Sequence, residues 1–260
     1  MKNLLELSKK NIPSYGIYIT MQDPQLIEMA KCAGYDFGRL DAEHVNFSPQ
    51  TLAEMFRMAR LLDFPLQIRV GSRENIDPIL ALEPSAVMFP DVQTKSDAER
   101  IVEQTKFYPV GSRGMYAFTD GIRFDGYSRE NYIANANNWM HTIVQIESRQ
   151  GLDNLERILE IPGVDMVSSG KADLSQALGI PGDTKNPRVK EAEEYIVRTA
   201  ISYGKAPTLY VESKERIEEL HNMGVNLFIV GFDCSLLMNA FKERRKIYIL
   251  YETAQPQYSI

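Results

Sequence analysis

Two carboxylate residues, Glu147 and Asp173, have the types and spacing expected of a metal site. Glu147 ends the apolar run HTIVQIE, and Asp173 follows the next apolar run along the chain, DMVSSG. Carboxylate oxygens are the ligands that hard divalent cations prefer in proteins. Two protein ligands would leave coordination positions open for a substrate, as a catalytic metal site requires. The pair therefore predicts a divalent metal ion.

A second group of ionisable residues, Asp41, Glu43 and His44, occurs in the segment GRLDAEH. The alternation of side chains along a strand predicts that Asp41 and Glu43 share one face and that His44 lies on the other. His44 could act as a general base near neutral pH. The alternative is that these residues form the polar start of the following helix. We expect His44 to be catalytic and the two acids to support it.

Arg69 lies near the end of the apolar run PLQIRV. An arginine in such a run pairs with a carboxylate, which belongs either to the protein or to a substrate. The planar guanidinium group matches the carboxylate of a 2-oxo acid and can polarise the adjacent oxygen. We expect Arg69 to act in catalysis and in substrate binding, and a salt bridge inside the protein is the alternative.

The residues around Glu147 and Asp173 are candidates for substrate binding. Gln145 shares one face of its strand with Glu147 and could support it by a hydrogen bond. Small residues before Asp173 would let the backbone approach a ligand, and amides at the start of a following helix can hold a carboxylate. For Lys171 the alternative is a solvated loop lysine. The predicted substrate-binding residues are Arg69, Gln145, Ser169, Gly170, Lys171 and Ala172.

Composition and missing motifs exclude several other classes of function. The net charge is −6 and no basic run occurs, which argues against nucleic-acid binding. A local pocket formed by Arg69, Arg113 and Lys171 could still accept an anion. The start of the chain lacks the apolar core of a signal peptide, and no apolar run approaches the about 20 residues of a membrane helix. Zinc, Walker and GxSxG motifs are absent. We expect a cytoplasmic protein without membrane partners.

The elements that must position these residues alternate along the chain between short apolar runs and helical segments. Eight runs with intervening helices predict an α/β protein with a single (β/α)8 TIM barrel domain over residues 1–260. An open doubly wound sheet is the alternative. The predicted strands are Tyr15–Thr20, Phe37–His44, Pro65–Val70, Ala86–Pro90, Thr142–Glu147, Asp165–Gly170, Ala206–Val211 and Leu227–Gly231.

Two segments depart from this even spacing. Residues 107–140 form a long insertion rich in Gly, Arg, Tyr and Asn, which we expect on the active-site side because long loops in compact domains are usually functional or disordered. Residues 235–260 form a C-terminal helix and tail with an apolar end. Such an end packs either on the barrel of its own chain or on another subunit, and the second option predicts a homo-oligomer.

Five motifs together resemble a known family. The segments DAEH (41–44), IRV (68–70), FYPVGSRG (107–114), VQIES (144–148) and SGKADLSQALG (169–179) are similar, in this order, to motifs of the HpcH/HpaI aldolase and citrate lyase β-subunit family. These proteins are metal-dependent (class II) pyruvate aldolases. The resemblance covers about residues 14 to 235.

The resemblance implies an aldolase-type lyase that acts on a 2-oxo acid, pyruvate or oxaloacetate, through an enolate. It implies a Mg²⁺, Mn²⁺ or Co²⁺ ion held by Glu147 and Asp173, an Arg69 that polarises the oxo acid and a His44 that serves as base. It also implies a homo-oligomer, either a hexamer or a dimer or trimer, with an exchanged C-terminal helix.

Two positions differ from the pattern of that family. Lys171 occupies the place of a proline, and Ala81 occupies the place of an aspartate that pairs with the catalytic histidine. Glu83 is two residues away from the missing carboxylate. These differences fit a branch of the family that makes citrate for siderophores from oxaloacetate and acetyl-CoA, with Lys171 meeting an extra carboxylate or a phosphate of CoA. A non-catalytic barrel that binds an oxo acid is a further alternative.

Overall fold

Eight parallel strands close into a barrel in which each strand pairs with its neighbours in the sequence and β8 pairs with β1. A computed structural model of the protein describes residues 3–74, 76–115 and 128–253. The barrel confirms the predicted fold and excludes the open sheet. The strands are β1 (Ser14–Ile19), β2 (Phe37–Ala42), β3 (Leu66–Val70), β4 (Ala86–Phe89), β5 (His141–Ile146), β6 (Met166–Ser169), β7 (Ala206–Tyr210) and β8 (Leu227–Phe232).

Helices cover the outside of the barrel. Several of them begin at a residue whose side chain accepts a backbone N–H of the first turn, which satisfies a donor that has no partner within the helix. Ser48 and Thr94 are two such residues. The helices are α1 (Leu4–Ser8), α2 (Gln25–Cys32), α3 (Pro49–Leu61), α4 (Asp77–Leu80), α5 (Lys95–Thr105), α6 (Arg129–Trp139), α7 (Arg149–Asp153), α8 (Leu155–Leu159), α9 (Lys171–Ala177), α10 (Pro187–Ser202), α11 (Lys214–Asn222) and α12 (Asp233–Thr253).

The inside of the barrel changes from apolar to polar along its axis. Phe37 of β2 and Leu227 of β8 belong to an apolar cluster inside the barrel. Further along β2, its register with β3 pairs Arg39 with Gln67 and then Asp41 with Arg69. The polar layer therefore lies at the carboxyl ends of the strands, which is where enzymes of this fold hold their active sites.

The described parts of the long insertion, residues 107–115 and 128–140, pack at the amino ends of the strands. The buried Lys106 donates to the main-chain oxygens of Asn137 and Met140, and Asn138 accepts a hydrogen bond from Asn3, which caps α1. The insertion follows α5, which has already returned the chain to that face. The expectation that it lies on the active-site side is wrong for these parts, and residues 116–127 lie outside the described residues.

The C-terminal helix α12 leaves the barrel with large apolar side chains exposed. Asp233 anchors its first turn by accepting hydrogen bonds from the amides of Thr20 and Met21. Farther along, Phe241 and Ile247 are 61% and 58% exposed. Within the described residues, no helix is both long enough and apolar enough to cross a membrane.

Candidate active site

Four polar residues meet at the carboxyl ends of β2 and β3. Arg69 donates from Nε to Asp41 Oδ1 at 3.0 Å and from Nη2 to Asp41 Oδ2 at 2.7 Å, and its Nε lies 3.1 Å from Glu43 Oε2. This is the salt bridge that the sequence offered as the alternative for Arg69. His44 lies on the same side as Asp41, so its predicted opposite placement is wrong. The reason is that β2 ends at Ala42 and strand alternation stops there.

The charges in this group perturb one another in opposite directions. Burial alone would raise the pKa of Asp41, but its hydrogen bonds and charge pairing with Arg69 outweigh burial and lower it. Burial raises the pKa of Glu43. The charges of Asp41 and Asp173 add to this increase, and those of Arg69 and His44 offset only part of it. Asp41 is therefore the more strongly ionised partner of Arg69, and Glu43 is the acid that is protonated more easily.

His44 faces Asp41 and Arg69 with the same ring nitrogen. Its Nδ1 atom lies 2.9 Å from Arg69 Nη2 and 3.3 Å from Asp41 Oδ2. A guanidinium nitrogen can only donate, so Nδ1 accepts and the neutral ring carries its proton on Nε2. If Nδ1 carries the proton instead, it donates to Asp41. Asp41 is thus the nearer of two carboxylates beside His44, since Glu43 Oε2 lies 3.8 Å from the same nitrogen and Glu83 is engaged elsewhere.

Glu147 is held in the mouth of the barrel with its carboxylate buried. The residue is 6% exposed, its Oε1 accepts the amide of Asp91 at 2.8 Å, and its Oε2 accepts the side-chain amide of Gln145. The predicted support from Gln145 is thus present. Gly170 approaches the same oxygen so closely that an added Cβ would lie 2.6 Å from Gln145 Nε2 and closer still to Glu147 Oε2. Gly170 therefore shapes the site by lacking a side chain.

Glu147 and Asp173 interact electrostatically, although Glu147 follows β5 and Asp173 belongs to α9. Asp173 is exposed in the first turn of α9. Burial raises the pKa of Glu147, and the negative charges of Asp173 and Glu43 raise it further against the hydrogen bonds from Gln145 and Asp91. Carboxylates that repel each other in this way suit a shared cation.

The donor set of Glu147 and Asp173 fits a divalent cation better than the neighbouring group does. Asp41, Glu43 and His44 also present ligand atoms within 4.8 Å of one another. Arg69 already occupies the space between their carboxylates, and its charge would repel a metal ion there. Within the described residues, Glu147 has no lysine or arginine within 4 Å, so its charge remains available.

The remaining substrate-binding candidates differ in where their side chains lie. Lys171 places Nζ 5.6 Å from the centre of the Tyr210 ring, and no carboxylate among the described residues lies within 4 Å of it. Ser169 donates its hydroxyl to Glu193 of α10 at 3.1 Å, so only its backbone could meet a ligand. Ala172 is exposed in the first turn of α9.

Arg113 and Glu83 do not belong to the mouth of the barrel. Arg113 is 8% exposed and donates to Leu80 O at 2.9 Å and to Glu83 Oε1 at 3.3 Å. Tyr132 donates its hydroxyl to the same oxygen of Glu83. These residues fasten the insertion to the start of β4, at the amino ends of the strands. The expectation that Arg113 contributes to an anion pocket with Arg69 and Lys171 is therefore wrong.

Sequence reasoning missed one contributor to the site and one charged residue beneath it. Asp91 holds Glu147 through its backbone amide, and no side-chain pattern signals such a contact. Its position directly after a strand end was the only available sign. Arg39 lies one inward-facing position below Asp41 on β2, and the residues beside it in the sequence give no sign that its guanidinium is buried.

The closed barrel and the charged mouth at its carboxyl end define this protein as a barrel enzyme whose site combines carboxylates with an arginine. The chain belongs to the HpcH/HpaI aldolase/citrate lyase family, whose model matches residues 14–240. It is therefore an aldolase-type enzyme that acts on carbon–carbon bonds, as the sequence predicted.

Three relatives illustrate the range within this similarity. The 2-keto-3-deoxy-L-rhamnonate aldolase of Klebsiella pneumoniae subsp. pneumoniae is 32% identical over 249 residues, which cover 93% of this chain and 91% of that protein. The structure of the citrate synthase SbnG matches with a TM-score of 0.88 and 26% identity, over 96% of this chain and 99% of that one. An HpcH/HpaI aldolase/citrate lyase family protein from Burkholderia cenocepacia matches with a TM-score of 0.86 and 28% identity, over 95% and 99%.

Proposed function

We propose that the protein is a metal-dependent aldolase that cleaves or forms a carbon–carbon bond next to a 2-oxo acid such as pyruvate. Glu147 and Asp173 would hold Mg²⁺, Mn²⁺ or Co²⁺. The observation that carries this proposal is the Glu147 carboxylate, which is buried beside other acids and has no cationic partner among the described residues. When bound, the metal ion supplies Lewis-acid stabilisation of the oxygens of the oxo acid.

Arg69 would fix the oxo acid and stabilise its developing negative charge. Its Nε and Nη2 atoms are held by Asp41, while its Nη1 atom makes no hydrogen bond to any described residue. The bidentate pair with Asp41 would fix the orientation of the guanidinium group, so that Nη1 is positioned for the substrate before it binds. Such preorganised charge is the largest contribution to catalysis in many enzymes.

His44 would transfer the proton at its Nε2 atom. In the arrangement in which Arg69 donates to Nδ1, Nε2 carries the proton and can give it to an oxygen of the substrate. In the other tautomer Nδ1 donates to Asp41, and Nε2 can then accept a proton. Asp41 would thus serve in place of the aspartate that Ala81 replaces. The side chain of His44 is 62% exposed and so is reachable by substrate.

The second substrate of this aldolase would be an uncharged aldehyde. A cavity of about 760 Å³ opens beside His44 and Glu43. Its walls include the apolar residues Val45 and Ile76 and the acid Glu74, and none of the described residues that line it is a lysine or arginine. Acidic and apolar walls favour a neutral group over a phosphate-bearing one.

Purified protein with added Mn²⁺ provides the test. We expect 4-hydroxy-2-oxo acids to release pyruvate. We expect Glu147→Gln to lose at least about tenfold in activity, since loss of even an outer partner of a metal ligand typically costs about 10- to 100-fold. Turnover that survives in Glu147→Gln would contradict the metal site. Tight binding of an oxo acid without turnover of any aldehyde would favour the non-catalytic barrel.

A citrate synthase acting on oxaloacetate and acetyl-CoA is the second candidate. Two observations favour it: Lys171 has no carboxylate partner among the described residues, and the SbnG structure is similar over almost the whole chain. Release of free CoA from acetyl-CoA and oxaloacetate would support this candidate. Pyruvate release without CoA release would exclude it in favour of the aldolase.

We further propose that α12 packs against another copy of the chain, because exposed apolar clusters on soluble proteins mark interaction sites. Its apolar residues Leu236, Met238 and Phe241 are 42%, 52% and 61% exposed. Light scattering coupled to size-exclusion chromatography should give a mass above that of one chain, and a monomer would contradict the proposal. The cytoplasmic location stays a prediction from the sequence.

A further inference from the structure

Arg39 is a charged residue buried inside the barrel. It is 1% exposed, and its guanidinium donates from Nε to Gln67 Oε1 at 2.7 Å and from Nη2 to Thr208 Oγ1 at 2.8 Å. Its Nη1 lies 3.4 Å from the hydroxyl of Tyr18. No carboxylate among the described residues lies within 4 Å of it. The direct partners of this buried charge are therefore all neutral.

Neutral partners are poor compensation for a buried charge. Moving a guanidinium out of water costs several kcal/mol unless a counter-charge offsets it. The surroundings are also not fully satisfied, because the side-chain nitrogen of Gln67 is buried without an acceptor among the described residues. Methionine would fill similar space without this cost, next to the apolar cluster that contains Phe37, two residues earlier on β2. Packing alone thus gives no reason for an arginine here.

The position of Arg39 connects it to the mouth of the barrel. Arg39 pairs with Gln67 in the β2–β3 register, and two residues farther along the same strands Asp41 pairs with Arg69. The ring centre of Tyr18 lies 5.3 Å from the Arg39 guanidinium and 5.6 Å from that of Arg69. Arg39 therefore lies one inward-facing layer beneath the site, in a region that water does not screen.

The charges of the mouth supply the counter-charge that Arg39 lacks locally. The site contains the acids Asp41, Glu43, Glu147 and Asp173, and among the described residues only Arg69 is an arginine or lysine that pairs with any of them. A divalent ion alone would leave this set of acids with an excess of negative charge. An anionic substrate would then enter an unfavourable field.

We propose that Arg39 is a positioning residue whose buried charge balances the acids of the mouth and thereby favours an anionic 2-oxo acid over additional cations. This inference rests on the metal and oxo-acid site proposed above. Its effect on the two ligands must be opposite in sign. The Arg39 charge repels the metal ion and attracts the carboxylate of the substrate, whereas a purely structural residue would affect both ligands in the same direction.

The test measures binding of both ligands by isothermal titration calorimetry. For Arg39→Met we expect the affinity for Mn²⁺ to rise and the affinity for pyruvate, at saturating Mn²⁺, to fall. The change should be over about tenfold for the singly charged pyruvate and over about 100-fold for the doubly charged Mn²⁺, which are the sizes expected for charges about 10 Å apart at an effective dielectric constant of about 20. Arg39→Lys keeps the charge and should stay within about threefold of the wild type for both ligands.

Two further variants control for packing and for folding. Gln67→Met removes a neighbour of Arg39 without changing the charge, and it should not produce opposite shifts. Arg39→Gln carries the same prediction as Arg39→Met and replaces it if circular dichroism shows that the methionine variant is unfolded. Shifts of both affinities in one direction, or no shift, in a folded neutral variant would overturn the role of Arg39. A wild-type protein that binds no Mn²⁺ would instead overturn the proposed function.

Discussion

The two ends of the barrel hold polar clusters of opposite character. At the amino ends of the strands, Lys106 donates to Asp165 Oδ2 at 2.6 Å and to Met140 O at 2.7 Å, and the amide of Thr142 donates to the same carboxylate at 2.8 Å. At the carboxyl ends, Glu147 receives only amide donors and faces two other acids. The charges of the first cluster are completely paired within the chain, whereas the second cluster leaves negative charge open for a ligand.

The causes of the pKa shifts separate the two clusters. Burial alone would raise the pKa of Asp165, but the nearby His141 ring and the Lys106 ammonium outweigh it and lower the pKa. Burial raises the pKa of Glu147, and the neighbouring acids Asp173 and Glu43 raise it further. The pKa of Glu83 is also raised, but by burial against three opposing partners, with no acid among the causes. Repulsion by neighbouring acids, in addition to burial, thus distinguishes the pKa shift of Glu147 from those of Asp165 and Glu83.

The largest effect is expected at the complete cluster. Lys106→Met would leave Asp165 buried without its ammonium partner, and breaking a buried pair in this way costs about 3–5 kcal/mol. Chemical denaturation should show this loss of stability, with Mn²⁺ affinity unchanged at temperatures where the variant is folded. Lys95→Met, at an exposed pair with Glu99, is the control and should cost at most about 1 kcal/mol. A large loss of Mn²⁺ affinity in Lys106→Met would mean that the two ends are not independent.

A smaller effect is expected at the open cluster. Gly170→Ala would push a methyl group against Glu147 Oε2 and displace the carboxylate. We expect Mn²⁺ affinity, measured by calorimetry, to fall about 10- to 100-fold, as for other disruptions around metal ligands. Gly114→Ala is the matched control, since a Cβ there meets no atom within 4 Å. Unchanged metal affinity in Gly170→Ala would remove Glu147 from the metal site.

The smallest expected effect is a change in how the stability of the protein depends on pH in the acidic range. The folded-state pKa of Asp165 lies below its unfolded value, so its contribution to stability is fully present above the unfolded pKa, about 3.9, and is lost as the pH falls through the folded pKa. In Asp165→Asn, denaturation between pH 5 and about 2 should show a weaker dependence on pH than in the wild type. Asp153→Asn, at an exposed carboxylate, should keep the wild-type slope. Equal slopes in all three proteins would show that Asp165 is not linked to folding.

Much of the fold could be predicted from the sequence. The strands are covered by helices on the outside and by packed side chains on the inside of the barrel, so they occur in the sequence as short apolar runs. The predicted ends agree with the observed strands to within about two residues, as at Ala86–Phe89. The placement of Glu147 and Arg69 in the mouth followed from the same pattern, since each comes at the end of a run. Whether Glu147 and Asp173 bind a metal stays a prediction.

The failures arose where the pattern no longer applied. Strand alternation misplaced His44, because the strand had already ended at Ala42. The position of Arg113 could not be predicted, because a sequence does not reveal to which face of the barrel a long insertion returns. The burial of Arg39 and the close approach of Gly170 to Glu147 depend on contacts between residues that are distant in sequence, and no local spacing indicates them.

The contact between Gly170 and Glu147 couples the substitutions that evolution can accept at the two positions. Every other amino acid has a Cβ atom, so no first substitution at residue 170 leaves the glutamate undisturbed. Aspartate at residue 147 has a side chain one methylene shorter, so its carboxylate oxygens would lie farther from residue 170 and leave space for the methyl group of alanine. Natural variants should therefore keep glycine with glutamate, or change both residues together, and such paired changes would identify this contact in a set of related sequences.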